Sequence, residues 1–207
     1  MGERFLNNQR PSLEAQITNL SDEIAYNNHD VDDGLRSGLI TLEQLSRIKV
    51  FARHLDQVKD LYPGLEGRRL IHETVRRMIS TLVTDLTTQT RENIKKRRPS
   101  SVDDVRKTPP LASFSLRIEA EQNELKQFLR RNLYQHYRVA RMSAKARRIV
   151  GELFAAFTGD PRLLPPQFQE TAQMDSFRAT ADYVAGMTDR YAIIEHRRLF
   201  AVEEASS

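Results

Sequence analysis

The sequence predicts an all-α protein, and three observations carry that expectation. Apolar residues recur at spacings of three and four through most of the chain. Proline and glycine clusters punctuate those stretches. No strand-length run alternates apolar with polar residues, and there is no internal repeat. The chain has 207 residues, enough for one or two helical domains with a core. Hydrophobic residues at 39% and charged residues at 29% argue against a disordered or membrane protein.

Leu13, Ile17, Leu20 and Ile24 share one face of a first helix, with Pro11 and Ser12 at its boundary and Ser12 as N-cap. Gly34 and Gly38 predict a turn. A second helix is expected from Thr41, carrying Leu45, Ile48, Leu55 and Val58 and ending at Pro63-Gly64. A third, long helix carries Leu70 through Leu86. Residues 99–113, with Pro99, Pro109, Pro110 and many basic and Ser residues, read as an exposed linker between residues 1–98 and 114–207. Beyond it, helices are expected from Ile118 to Leu133, from Arg138 to Phe157 and from Met174 to Val202, with a loop from Leu163 to Phe168.

No apolar run approaches the roughly 18 to 20 residues that span a bilayer, so no membrane partner is expected. The polar N-terminus lacks a signal-peptide core. The absence of cysteine excludes disulfides, thiolate metal sites and cysteine nucleophiles, and a reducing cytoplasm is the expected compartment. A formal charge of +4 suits an anionic ligand, nucleotide or nucleic acid, without choosing between them.

The chemistry-bearing pattern is in the first helix. Asp22, Tyr26 and Asp30 are four apart, so each is turned only about 40° from the last and the three form a stripe. Two carboxylates and a phenol could bind a hard metal ion and a sugar hydroxyl together. Spacing alone favours two solvated helix charges and a boundary tyrosine, since such triplets are common on helices.

The run from Ser12 to Gly38, SLEAQITNLSDEIAYNNHDVDDGLRSG, resembles a hallmark segment of bacterial dGTP triphosphohydrolase-like proteins of the HD phosphohydrolase superfamily. LYQHYRVARM at 133–142 and DYVAGMTDRYA at 182–192 resemble two further blocks of that family, in the same order. The resemblance implies an all-helical fold in which residues 1–98 end an HD-type catalytic region. It also implies hydrolysis of a deoxynucleoside triphosphate, dGTP or another, to deoxynucleoside and inorganic triphosphate. In such enzymes a His, a His-Asp doublet and a later Asp hold a divalent ion, Mg²⁺ or Mn²⁺. Asp22 is then the last metal ligand, Tyr26 lies under the sugar, and Asp30 accepts a bond from the 3′-hydroxyl. Lys126 is a candidate for the triphosphate tail, Arg130 a weaker one, and Tyr134 and Gln135 for the sugar or base edge. A homo-oligomer and a regulatory nucleotide are further expectations from the resemblance.

One departure limits the expectation. No histidine precedes His29, and the His29-Asp30 pair follows Asp22 instead of preceding it. A single Asp cannot hold a catalytic cation tightly. The chain is therefore expected to be the C-terminal part of an enzyme, inactive by itself, with Leu13, Ile17 and Ile24 exposing an apolar patch. The competing expectation is a non-catalytic helical module that binds nucleotides or nucleic acid and regulates a partner, with Asp22 and Asp30 far from Lys126. Its basic runs, Arg91–Lys107 and Arg138–Arg148, lack interleaved aromatics or a Gly-rich phosphate loop, so nucleic acid is weakly supported.

Overall fold

The computed structural model describes residues 9–201, and among them it contains ten α-helices and no strand. The all-α expectation holds. Packing divides the chain into two compact units, Met1–His136 and Tyr137–Ser207.

In the first unit α1 (Leu13–Arg36) begins where expected, with the Ser12 hydroxyl accepting from the backbone N–H of Ala15. It does not stop at Gly34. That glycine is inside the helix and buried, and a Cβ there would lie 2.7 Å from Ile40 Cδ1 and 3.4 Å from Leu133 Cδ1. Only Gly38, at φ 69°, turns the chain. The expected second helix is two: α2 (Leu42–Leu45), with a reciprocal Thr41–Gln44 capping box, and α3 (Lys49–Leu61). Ile48 is extended between them, and Leu45 and Ile48 both reach the core. The long α4 (Gly67–Arg97) ends at Arg98 in the left-handed region.

Residues 99–113 are not simply an exposed linker. They contain α5 (Val102–Lys107), and Val105, Leu111 and Ala112 are buried. Gln16 Oε1 accepts from the backbone N–H of Leu111 at 2.9 Å and of Ala112 at 3.2 Å. Asn93 donates to the Leu111 carbonyl at 2.9 Å. These bonds satisfy backbone groups that a loop would otherwise leave to water, and they hold the segment within the first unit. The division by packing falls after His136 instead.

The next helix, α6 (Leu116–Leu129), runs into one wide π turn at Arg130–Tyr134, so the expected helix to Leu133 is not continuous in type. Ile24, expected in an exposed patch, is buried with Leu82, Leu86, Phe114 and Ile118, while Ile17 is exposed. A larger core gathers Val31, Ile40, Leu45, Phe51, Leu55, Met78, Leu125 and Leu129 from helices distant in sequence.

The second unit comprises α7 (Tyr137–Gly159), a 3₁₀ turn at Pro161–Leu163, α8 (Pro166–Met174), α9 (Ser176–Ala185) and α10 (Asp189–Phe200). The expected loop at 163–168 gives way to α8, because Pro166 sits in its first turn, where a missing N–H costs nothing. The expected single last helix breaks at Gly186, and Thr188 caps the restart. Its core is Ile149, Leu153, Phe157, Leu164, Ala172, Ala179 and Tyr183.

Candidate functional site

Where α1 meets α6 and the π turn, the side chains pair in register. Lys126 Nζ lies 2.6 Å from Glu23 Oε1. Asn27 donates to Gln122 Oε1 at 3.1 Å, both residues being buried. The Tyr134 hydroxyl donates to the Asp30 carboxylate. Gly34, a turn further, faces Leu133. On α1 these positions, 23, 27, 30 and 34, follow the four- and three-residue spacing that keeps one helix face toward a neighbour.

The expected stripe is therefore turned relative to this face. Asp30 belongs to both. Asp22 and Tyr26 lie on the adjoining surface, Asp22 exposed and Tyr26 63% exposed. Glu23, Asn27 and Gln122 were not singled out from sequence, although the 23/27/30 spacing was there to be read. Two equally helical registers ran through the same segment, and only the partner helix distinguishes them.

The π turn brings Tyr134 to Asp30. The backbone N–H of Gln135 bonds to the carbonyl of Arg130, five residues back, at 3.1 Å. This widened turn buries Leu133 and leaves Arg130, Tyr134 and Gln135 exposed. Simple counting of eight residues from Lys126 to Tyr134 thus does not apply. Both residues still reach α1, by separate contacts.

Partial burial of the half-exposed side chain, then the bond to Asp30, then the negative charge of Asp30 and the nearby phenol of Tyr26 push the Tyr134 hydroxyl up to about 12 from its ordinary 10.0. Tyr134 therefore stays protonated at neutral pH and serves as a donor. Asp30 retains a second oxygen and unused lone pairs, so it can accept a further hydroxyl.

Lys126 touches the residue next to Asp22, and Tyr134 touches Asp30. The separation demanded by the broad basic-surface alternative is absent. Arg130 is exposed on the π turn and Gln135 is exposed at its C-cap.

The metal is a different matter. Among the described residues no group of three or more His, Asp or Glu could hold a metal ion. Asp22 alone does not fit a divalent centre. His29 is exposed on α1 and His54 is buried between the Val50 carbonyl and Thr81, its pKa held below the ordinary 6.5 chiefly by burial. No described helix is long and apolar enough to cross a membrane.

Residues 112–198 match the model of the phosphohydrolase-associated domain. The class that the fold and this match define is an all-helical chain similar, over residues 112–198, to the phosphohydrolase-associated domain. More particularly, it is similar to proteins named deoxyguanosinetriphosphate triphosphohydrolase-like protein. It is 59% identical to the one from Thiobacillus denitrificans over 99% of this chain and 54% of that protein. It is 62% identical to those of Bordetella pertussis, over 97% of this chain and 52% of that protein, and Azoarcus sp., over 99% and 54%. The chain thus spans about half the length of the curated relatives it matches. The matched domain starts in the first unit and ends in the second, so it crosses the division made by packing.

Proposed function

We propose that this chain forms the sugar- and phosphate-facing part of a phosphohydrolase that cleaves a deoxynucleoside triphosphate to deoxynucleoside and inorganic triphosphate. The observation that carries the reading is the bond from Tyr134 to Asp30 beside the exposed ring of Tyr26, in a chain whose relatives bear that activity in their names. In this reading the Asp30 carboxylate accepts the 3′-hydroxyl on an oxygen not engaged by Tyr134. Tyr26 lies against the sugar, where its bulk disfavours a 2′-hydroxyl. Lys126 and Arg130 meet the triphosphate, and Gln135 lies at the base or sugar edge. Charge-assisted bonds of this type are the expected means of holding a polyphosphate.

Asp22 contributes one ligand to a divalent ion, Mg²⁺ or Mn²⁺, which supplies charge neutralisation when bound. Its other ligands come from the half of the relatives that this chain does not span. A homo-oligomer in the cytoplasm, with a regulatory nucleotide, completes the reading.

The test is product chromatography with mixed deoxynucleoside triphosphates and Mg²⁺ or Mn²⁺. It uses the chain alone and the chain mixed with the half of the Azoarcus relative that it does not span. Release of deoxynucleoside and inorganic triphosphate, lost in Asp22→Ala, supports the proposal. No turnover in either sample, orthophosphate as product, or indifference to Asp22→Ala refutes it.

A further inference from the structure

The ion pair between Glu23 and Lys126 has a consequence for phosphate binding. Lys126 is the cation assigned to the triphosphate, yet its ammonium lies 2.6 Å from a carboxylate that is itself only 28% exposed. At that distance the pair shows little net charge to an incoming anion. Asp22 and Asp30 on the same helix make the local field more negative still.

The backbone on either side is held. The buried Asn27–Gln122 bond lies one turn along both helices, and Leu125 and Leu129, which flank Lys126 on α6, are fully buried. What can move is the flexible four-carbon stem of Lys126, whose side chain is 40% exposed. The other acid lining the cavity beside Lys126 is Glu119. It lies seven residues back on α6, roughly 10 Å along the axis, and does not replace Glu23 as a partner.

We propose that Glu23 is a specificity residue that occupies Lys126, so that the lysine is surrendered only to a highly charged polyphosphate and not to weaker anions. This rests on the assignment of Lys126 to the triphosphate. Glu23 competes with the ligand for one cation, so removing its charge while keeping its shape raises affinity. A merely structural tie would lower affinity or leave it unchanged.

The experiment is calorimetric titration of the full 207-residue chain with inorganic triphosphate at low ionic strength. Wild type is compared with Glu23→Gln, Lys126→Met and the double variant, each checked by thermal melting. Glu23→Gln is expected to bind triphosphate about three- to fivefold more tightly, the range set by a partly exposed ion pair. Lys126→Met is expected to bind more weakly, and the double variant to show no gain from Glu23→Gln.

Three results overturn the inference and separate it from the reading beneath it. If Lys126→Met weakens binding but Glu23→Gln does not strengthen it, the competition is wrong and the phosphate role of Lys126 stands. If Lys126→Met binds as wild type, the assignment of Lys126 fails and Glu23 fails with it. If no protein binds at millimolar triphosphate, both fall.

Discussion

Residues 9–136 are stitched by polar side chains across long stretches of sequence, whereas residues 137–201 are packed around aromatic rings. In the first unit Gln16 reaches Leu111 and Ala112, Asn27 reaches Gln122, Arg53 forms a bidentate pair with Glu121, and Asp85 holds Ser115. In the second, Phe157 meets Tyr183 edge-on at 5.2 Å and Phe168 lies 5.0 Å from the same ring. Among its described residues, polar links such as Tyr183 to Tyr191 at 3.1 Å and His196 to Glu152 lie beside those rings. A hydrogen bond or ion pair is satisfied in one alignment only, while apolar packing tolerates several. The unit that carries the candidate site is therefore the one whose helix register is specified by polar contacts.

The sharpest way to break this contrast is in the aromatic core. Phe157→Ala is expected to destabilise the second unit by about 3–5 kcal/mol, since the ring is fully buried and leaves a cavity. Urea unfolding followed by circular dichroism reads the loss; a cost below about 1 kcal/mol would mean that the rings do not hold the unit.

The first unit is tested at its ion pair. Arg53→Met leaves the Glu121 carboxylate, whose side chain is 9% exposed, without its partner. A loss of about 2 kcal/mol is expected, less than for a fully buried pair because the Arg53 side chain is 30% exposed. The Arg53→Met/Glu121→Leu double variant should recover most of it, because the stranded charge is then gone. No recovery in the double variant would show that the pair contributes net attraction beyond mutual satisfaction.

A smaller effect is expected at Gly34→Ala. The added methyl meets Ile40 at 2.7–2.8 Å in a buried setting, while better helix propensity offsets part of the strain. A net cost of about 1 kcal/mol is expected in the melting curve, and a gain in stability would show that Ile40 yields freely.

The smallest effect on stability, and the most informative for the site, concerns Tyr134. Its folded-state pKa is raised, so the neutral hydroxyl is the form that the fold favours. That contribution is complete below the ordinary value of 10.0 and is lost as pH rises toward about 12. In Asp30→Asn the Tyr134 pKa should fall, yet remain above its ordinary value because burial is the largest cause of the rise. Ultraviolet titration of tyrosinate, with Tyr134→Phe to assign the signal, measures the shift. An unchanged titration in Asp30→Asn would dissolve the link between the two residues.

Much of this was legible in the residues. Helical spacing, the Ser12 cap and the Pro63-Gly64 stop agree with the structure because each depends on neighbours within one or two turns. The misreadings share the opposite property. The segment 99–113 looks exposed by composition, and bonds from Gln16 and Asn93, on α1 and α4, show why its backbone is held. Pro166 looked like a loop residue until α8 began on it.

By itself, then, the sequence determined the all-helical class, the starts of α1, α2, α6 and α7 to within two residues, and the resemblance to triphosphohydrolase-like proteins. These depend on local spacing and on identities spread along the chain. Tertiary structure alone decided that α1 presents Glu23, Asn27 and Asp30 to its neighbour, and that one π turn sets Tyr134 against Asp30. Helical periodicity makes 22/26/30 and 23/27/30 equally good stripes, and the choice between them belongs to the partner helix.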